Sequence, residues 1–231
     1  MDTCLRLVFA LALTVVAVAH AHAQASGPVH VVSYVEVQPA AKSEAAATLK
    51  LLRDASRKDE GNLAADAVES TARPGHFVVL TAWKDQAALD AHMAAASTKE
   101  ARGKLHAVRA APIDDRLHNT LSVAGTSAGT AGRASRPVYV VTHVDVPPPR
   151  KDECIALLTK LAEDSRKDQG VVRFDVVQQT SRPNHFTVIE VWRDSKAFDA
   201  HVMAAHVRDF RDRLTPMSGA LYDERLYQPL D

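Results

Sequence analysis

The chain has 231 residues with 28 basic and 28 acidic side chains, so its formal net charge at pH 7 is zero. Because charges of both signs are interspersed along the sequence, the composition does not indicate a nucleic-acid or anionic-membrane partner. The length suits two small domains or one pseudo-symmetric domain.

Residues 1–25 have the pattern of a secretory signal peptide. Arg6 precedes an apolar run over residues 7–19, and small residues at 21–25 form a cleavage site. The run is shorter than the roughly 20 residues that span a bilayer, so an uncleaved anchor is the weaker alternative. The pattern predicts a periplasmic or secreted protein without membrane contact after cleavage. Cys154 is then the only thiol, and the fold must be stable without an internal disulfide.

The remainder of the chain contains one unit twice. The segment that begins at Val29 returns without gaps 109 residues later, at Val138. The clearest shared stretches are Ser-Arg-Lys-Asp at 56–59 and 165–168, Arg-Pro-x-His-Phe at 73–77 and 182–186, and Asp-Ala-His at 90–92 and 199–201. We therefore predict a first domain at 28–121 and a second at 137–231, joined by a flexible Gly- and Ser-rich linker at 122–136.

Hydrophobic periodicity predicts the order β-α-β-β-α-β in each unit. An alternating β-branched strand begins at Val29, and the apolar side of the helix after it is expected to contain Ala47, Leu51, Leu52 and Ala55. Two strands follow at 63–70 and 77–83, joined by a Pro-Gly turn in the first unit and a Pro-Asn turn in the second. Gly and Asn favour such turns because they tolerate positive φ. A helix over 86–96 with an extension to 105, and a last strand over 113–123, complete the unit.

This order is that of the ferredoxin-like split unit, whose antiparallel sheet has helices on one face only. The other apolar face must be buried, and the equivalent face of the second copy is the simplest partner. We therefore predict an α+β fold in which two tandem ferredoxin-like β-α-β-β-α-β units pack sheet to sheet as an intramolecular pseudo-dimer. Whether such molecules associate further stays open.

Side chains that could take part in catalysis recur on one face of the third strand in each unit. Period-two alternation groups them as Phe77, Thr81 and Trp83 in the first unit and Phe186, Glu190 and Trp192 in the second. His92 and His201 lie about two helical turns further on and could meet those faces. No cluster of His, Cys and carboxylate residues has metal-ligand spacing, so no metal site is predicted.

These stretches resemble the antibiotic biosynthesis monooxygenase (ABM) domain. In the second unit the resemblance rests on Gly170, Phe186, Glu190, Trp192, Asp194, Ala197, Phe198, His201 and His206. In the first unit it rests on Gly61-Asn62-Leu63, Trp83, Asp85, Ala88-Leu89 and His92. The resemblance implies a dimeric α+β barrel, in agreement with the pseudo-dimer expected from the pattern.

The resemblance also implies a cofactor-independent monooxygenase that acts on a small aromatic or quinol-like substrate with O₂, in a pocket between sheet and helices. Such a site must deprotonate or polarise a phenolic hydroxyl and hold the anion away from water. The expected catalytic residues are Trp192, His201, Glu190, His206, Trp83 and His92. The expected substrate-binding residues are Asn62, Arg173, Phe186 and Phe77.

Each of these residues also has a structural alternative. The tryptophans suit core packing, the histidines suit a hydrogen bond to a nearby aspartate or carbonyl, and Asn62 suits a turn. Glu190 suits an ion pair with Arg193 or Arg173.

The two copies do not retain the same polar set. Asn62 corresponds to Val171, whereas Glu190 and His206 correspond to Thr81 and Ser97 in the first unit. We expect activity in the second unit, which keeps the larger set.

Other functions are open alternatives. A non-catalytic barrel that binds a small molecule is the main one, because one fold hosts unrelated functions. Haem degradation and isomerisation, which the resemblance also includes, are less favoured. The haem-ligating histidine of that branch would fall near Arg102 or Arg211, and arginine does not ligate iron.

Overall fold

The computed structural model describes residues 27–124 and 136–230. The predicted signal peptide and residues 125–135 of the predicted linker lie outside the described residues. The first repeat contains β1 (Val29–Glu36), α1 (Lys42–Ser56), β2 (Asn62–Ser70), β3 (His76–Trp83), α2 (Gln86–Ala94), α3 (Ala96–Val108) and β4 (Asp114–Ser122). The second contains β5 (Val138–Asp145), α4 (Lys151–Ser165), β6 (Val171–Gln179), β7 (His185–Trp192), α5 (Ser195–Val202), α6 (Ala205–Leu214) and β8 (Asp223–Pro229).

The eight strands form one closed antiparallel barrel in the order β1-β3-β2-β8-β5-β7-β6-β4. Each repeat supplies a four-stranded sheet, and the two sheets join where β2 pairs with β8 and where β4 pairs with β6. Among the eight described strands, these two seams leave no unpaired sheet edge, which removes a common cause of aggregation. The predicted α+β pseudo-dimer is confirmed, and the seams add edge pairing to the expected face-to-face contact.

The inner faces of the two sheets share an apolar core inside the barrel. Its buried members are Val32, Val68, Val78, Leu80, Val141, Val177, Ile189 and Tyr227. The outer faces pack on the helices and form separate clusters, one set per repeat. The chain therefore has three apolar layers, and each outer layer contains one of the predicted sites.

Helix α1 presents a different face to the sheet than the one expected. Ala45, Leu49 and Leu52 are buried, whereas Ala47 is exposed and Leu51 is 71% exposed. The expectation that Ala47 and Leu51 face the core was wrong. The apolar residues of α1 nearly surround it, so periodicity alone did not select the stripe that the sheet covers.

Two glycines at equivalent positions turn the chain from α1 and α4 into the next strand. Gly61 and Gly170 have φ values of 79° and 90°. A Cβ atom at these positions would lie 2.7 Å from Cβ of Ala88 and 2.6 Å from Cβ of Ala197. Only glycine satisfies both the positive φ and the close approach of α2 or α5.

The hairpin turn differs between the repeats. Gly75 has a φ of 81°, as expected for the Pro-Gly turn, but no described residue other than glycine has a positive φ. Asn184 therefore does not adopt the left-handed conformation that the Pro-Asn pattern suggested. Its side-chain amide instead donates a 2.6 Å hydrogen bond to the carbonyl of Val146, which attaches the turn to the segment that follows β5.

The helical segment after β3 is broken into two helices rather than extended. Ala95 and its counterpart Ala204 have extended backbone conformations, with ψ values of 142° and 148°. The break reorients α3 and α6, and it brings the start of α6 back towards the end of α5. None of the helices within the described ranges is long and apolar enough to cross a membrane.

Candidate functional site

A tryptophan and a histidine stack at the corner between sheet and helix in each repeat. Trp83 ends β3, and the carboxylate of Asp85 caps α2 by accepting a 2.8 Å hydrogen bond from the amide of Ala88. The cap fixes where α2 begins, so His92, two turns later, lies on the indole with ring centroids 4.5 Å apart. The Trp192–His201 stack in the second repeat has a centroid distance of 4.4 Å. The predicted meeting of each histidine with the strand face is confirmed.

An aspartate that the sequence analysis did not identify completes each pair. Asp59 Oδ2 lies 2.7 Å from His92 Nδ1, and Asp168 Oδ2 lies 2.7 Å from His201 Nδ1. A carboxylate accepts the proton on Nδ1, so in a ring that carries this one proton Nε2 is a hydrogen-bond acceptor. The sequence did contain a signal, because both copies carry the Ser-Arg-Lys-Asp stretch that ends in this aspartate.

The first repeat encloses a small cavity between its sheet and its helices. The cavity has a volume of about 40 Å³, and its wall is mostly apolar, with contributions from Val31, Leu49, Val79, Leu89 and Leu105. The polar wall residues include Thr81, His92, Thr98 and Arg102. The Trp83 indole N–H donates to Thr81 Oγ1 at 3.1 Å, and Arg102 forms an ion pair of 2.6 Å with Asp115. The cavity therefore combines an apolar wall with His92, whose Nδ1 is held by Asp59.

A buried carboxyl group occupies the equivalent place in the second repeat. Glu190 replaces Thr81 and accepts a 2.8 Å hydrogen bond from the Trp192 indole N–H. The same oxygen lies 3.7 Å from His201 Nε2. Burial raises the pKa of Glu190 to about 8, with Glu224 adding to the rise, while the indole N–H and Arg211 oppose it. Glu190 is thus mainly protonated at neutral pH and forms no ion pair with Arg193 or Arg173.

Larger side chains surround this carboxyl than surround the cavity of the first repeat. The exchanges from first to second repeat are Ala65 to Phe174, Leu89 to Phe198, Ala101 to Phe210 and Ile113 to Tyr222. Phe174, Phe198 and Phe210 belong to the buried core of the second repeat, and Tyr222 packs against it. The second repeat therefore keeps the larger polar set but packs it more tightly.

His206 adds a third polar group on the outer side of His201. Its Nε2 lies 3.2 Å from Asp168 Oδ2 and 3.4 Å from Ser165 Oγ. The rings of His201 and His206 have centroids 5.6 Å apart. The chain break at Ala204 makes this approach possible. Asp168 is distant from both histidines in the sequence, which is why spacing did not reveal the group.

Two predicted substrate-binding residues, Asn62 and Arg173, do not line the cavity of the first repeat, although Asn62 lies opposite Trp83 in the pairing of β2 with β3. Asn62 donates its side-chain amide to the carbonyl of Ala64 at 3.2 Å, at the irregular start of β2. Arg173 pairs with Asp175 and, at 3.6 Å, with Asp66 across the barrel interior. Strand alternation explains why Arg173 points into the barrel: Phe174 faces the helices, and adjacent side chains on a strand face opposite sides.

The predicted aromatic residues Phe77 and Phe186 are core residues in this structure. Each is 1% exposed and packs in the cluster between sheet and helices of its own repeat. Phe186 also borders an open cleft of about 940 Å³ at one end of the barrel. Their roles in substrate binding stay predictions.

Equivalent residues of both repeats line this cleft, which places it on the pseudo-two-fold axis. They include Tyr34 and His143, Arg73 and Arg182, Asp114 and Asp223, and Arg116 and Arg225. Three pairs of equivalent positions within the barrel, buried or half-buried, exchange histidine for tyrosine between the repeats: 30 with 139, 34 with 143, and 118 with 227. These exchanges are visible when the two copies are aligned, but the residues were not among the predicted site residues.

A chain of hydrogen bonds crosses the axis from Tyr34. The phenol donates to His143 Nε2 at 2.5 Å, and His143 Nδ1 lies 3.2 Å from the hydroxyl of Thr187. That hydroxyl donates to His118 Nε2 at 3.0 Å, because His118 Nδ1 donates to the carbonyl of Arg116 at 2.9 Å. Burial lowers the pKa of both histidines to about 4, so both rings are neutral at pH 7. Each of the two histidines therefore has one donor and one acceptor nitrogen, and the hydrogen bonds run in a single direction from Tyr34 to His118.

Comparison with known proteins agrees with the fold. The sequence model of the family "Antibiotic biosynthesis monooxygenase" matches residues 28–104 and again 137–213. "Putative monooxygenase YcnE" of Bacillus subtilis is 32% identical over 73 residues, which are 32% of this chain and 77% of that protein. The Synechocystis protein sll1783, named as uncharacterized, is 26% identical over 95 residues, which are 41% of this chain and 65% of that protein. The chain thus spans about two thirds of that relative's length.

A solved structure resembles the whole barrel. The crystal structure of a "putative monooxygenase" from Fusobacterium nucleatum superposes with a TM-score of 0.78 and covers 90% of this chain and 94% of that one. The sequences are 14% identical, so this likeness concerns the fold. The family match and the relatives together support a general monooxygenase role.

Proposed function

The chain belongs to the antibiotic biosynthesis monooxygenase family, of which it carries two tandem domains, and on that premise we propose that it oxidises a small aromatic or quinol-like substrate with O₂ without a cofactor. The observation that supports this most directly is His92, which lies in the wall of an apolar cavity and is paired with Asp59. We place the reaction in that cavity, in the first repeat rather than the second.

His92 is suited to act as the base. Asp59 holds Nδ1 as the donor, so the lone pair of Nε2 is available for the hydroxyl proton of a phenolic substrate. The stack on Trp83 keeps the ring in place without adding a charge. An aspartate-oriented imidazole also tolerates the positive charge that it gains with the proton.

The chemistry balances without an external reductant. The phenolate supplies the electrons, and one oxygen atom of O₂ becomes a carbonyl on the ring while the other leaves as water. A phenol plus O₂ therefore yields a quinone plus water. The apolar wall favours this course because it excludes water from the anion and from its oxidised intermediates.

The cavity must widen to hold an aromatic ring. A volume of about 40 Å³ holds only a few atoms, whereas pockets for drug-sized ligands measure roughly 300 Å³ or more. Met93 lines the cavity and is 38% exposed, so its side chain reaches the surface. A methionine adapts easily because it is unbranched and has three rotatable bonds. We propose that Met93 moves aside when the substrate enters.

Oxygen uptake by the purified mature protein tests the proposal. We expect uptake with some members of a panel of quinols and polycyclic phenols, unchanged by EDTA and without added flavin. His92→Gln should lower kcat/KM at least 100-fold, since general-base catalysis contributes roughly 10²- to 10⁴-fold. His201→Gln is the matched control in the second repeat and should keep most of the activity.

Other outcomes distinguish the alternatives. Tight binding of an aromatic ligand without O₂ uptake would indicate the non-catalytic binding barrel. Loss of activity in His201→Gln with normal activity in His92→Gln would move the reaction to the second repeat. The pattern of residues 1–25 also supports a proposed periplasmic or secreted location, which cell fractionation would test by finding the protein outside the cytoplasm.

A further inference from the structure

Asp168, His201 and His206 bring three ligand atoms for a transition metal together in the second repeat. Asp168 Oδ2, a nitrogen of His201 and His206 Nε2 all lie within 4.8 Å of one another. The group combines the turn after α4 with α5 and α6, so the tertiary structure assembles it. We propose that these three side chains bind one divalent transition-metal ion of the zinc class.

The two separations that involve Asp168 are close to those around such an ion, and the histidine nitrogens lie within 4.8 Å of each other. Asp168 Oδ2 lies 2.7 Å from His201 Nδ1 and 3.2 Å from His206 Nε2. Zinc bonds of roughly 2.0–2.2 Å in a tetrahedral site place neighbouring ligand atoms about 3.3 Å apart. The His201 contact must therefore open by about half an ångström. Two imidazoles and one carboxylate leave a fourth position for water or for Ser165 Oγ, which lies 3.4 Å from His206 Nε2.

Solvent reaches the group from the outside of the barrel. An open pocket of about 240 Å³ is lined by Asp168 and His201. Arg193 and Lys196 line the same pocket, and their charge opposes the entry of a cation. Arg193 is partly neutralised by Asp194, which lies 3.1 Å away. The pocket therefore gives access to Asp168 and His201, while the two cations limit the affinity.

Metal binding would change which nitrogen of His201 carries the proton. In the metal-free protein Nδ1 donates to Asp168. A metal on Nδ1 requires the proton on Nε2, which lies 3.7 Å from the buried carboxyl of Glu190. The ion would thus hold the ring against Trp192 and direct an N–H at Glu190. Such an outer partner commonly fixes a metal-bound histidine.

The first repeat is an internal control for this proposal. Asp59 and His92 reproduce the Asp168–His201 contact at the same distance of 2.7 Å. Ser97 stands where His206 stands in the second repeat, so the third nitrogen ligand is missing. Within the described ranges, no second group of three such ligands comes together. One site per chain is expected.

Zinc titration of the full mature chain without a histidine tag tests the site, by calorimetry and by competition with a chromogenic chelator. We expect one zinc ion per chain at micromolar or lower Kd. His206→Ser copies the first repeat and should weaken binding at least tenfold, and Asp168→Asn should do the same. Ser97→His should add a second zinc ion, because it completes the ligand set around Asp59 and His92. Circular dichroism should show unchanged folding in each variant.

The opposite results would overturn the proposal. A wild-type chain that binds no zinc at tens of micromolar, or a His206→Ser variant that binds as tightly as wild type, excludes the site. A Ser97→His variant that gains no second ion would show that the ligand set does not determine binding. Since the titration measures no turnover, it can fail or succeed independently of the proposed oxidation in the first repeat.

Discussion

Each repeat has a space between its sheet and its helices. The two spaces share a frame of tryptophan, histidine and aspartate, but other side chains fill them differently. Both repeats hold a tryptophan, a stacked histidine and an aspartate at nearly identical distances. The first repeat adds small residues and encloses a cavity, whereas the second adds Glu190, His206 and larger aromatic side chains. After duplication, the frame required by the fold stayed constant while the volume and polarity inside it diverged. The difference teaches that polar groups and free volume can separate between two copies of one unit, since the second repeat keeps the larger polar set and the first keeps the cavity.

Removal of one large core residue should produce the largest effect and make the repeats more alike. Phe210 is 2% exposed, and its counterpart in the first repeat is Ala101. Phe210→Ala should lower the free energy of unfolding by roughly 3–5 kcal/mol, through lost burial and a new cavity. Urea denaturation measures this loss. A loss below about 1 kcal/mol would show that the second repeat is not packed more tightly.

The buried carboxyl should make stability depend on pH in the second repeat. Burial raises the pKa of Glu190 from 4.5 to about 8. Between these values the folded state holds a proton that the unfolded state has released, so stability falls as pH rises from about 4.5 to 8. The total loss should be a few kcal/mol, at about 1.4 kcal/mol per unit of pKa shift.

Glu190→Gln removes this titration and preserves the shape of the side chain. The difference in unfolding free energy between wild type and variant, measured by urea denaturation at pH 5 and pH 8, isolates the effect from all other groups. We expect the variant to lose less stability over this interval. Parallel losses in the two proteins would mean that Glu190 titrates normally.

The histidine–tyrosine exchange at the axis should couple the two repeats. Tyr34→His and His143→Tyr each remove the 2.5 Å hydrogen bond between two equivalent positions. Each single variant should cost about 1–1.5 kcal/mol, the net contribution of one hydrogen bond, because Arg116 still lies 3.2 Å from His143 Nε2. The double variant reverses the pair and should cost less than the sum by about 1 kcal/mol or more. Strict additivity in chemical denaturation would contradict a specific pair.

The indole partner in the first repeat should give the smallest effect. Thr81 accepts the Trp83 indole N–H at 3.1 Å. Thr81→Val conserves volume but leaves that donor without a partner, and we expect a loss of about 1 kcal/mol. Thr81→Ser retains the hydroxyl and serves as the control for the hydrogen bond. Equal stability of the Val variant and wild type would show that Thr81 does not hold the tryptophan.

Much of the fold could be predicted from the sequence because it depends on local rules. Repetition, alternation and the two glycines predicted the order of elements and the pseudo-dimer. The Trp–His contacts also followed, since strand period, helix cap and helix period fix them locally. The exposed face of α1 was predicted wrongly, because packing against the sheet decides which face is covered. The conformation of Asn184 was also predicted wrongly, because its side chain bonds to the carbonyl of Val146, which is distant in sequence.

The sequence by itself determined the frame of this protein: two copies of one unit, their strands and helices, and the tryptophan and histidine on one side of each sheet. Only the tertiary structure decided what the frame contains. Asp59 and Asp168 join the histidines across 33 positions of the chain, and side chains from several elements set the size of the cavity. Strand and helix periods depend on residues that are close in sequence. The distances between residues far apart in sequence, and the volume of the cavity between them, depend on how the helices and strands pack together.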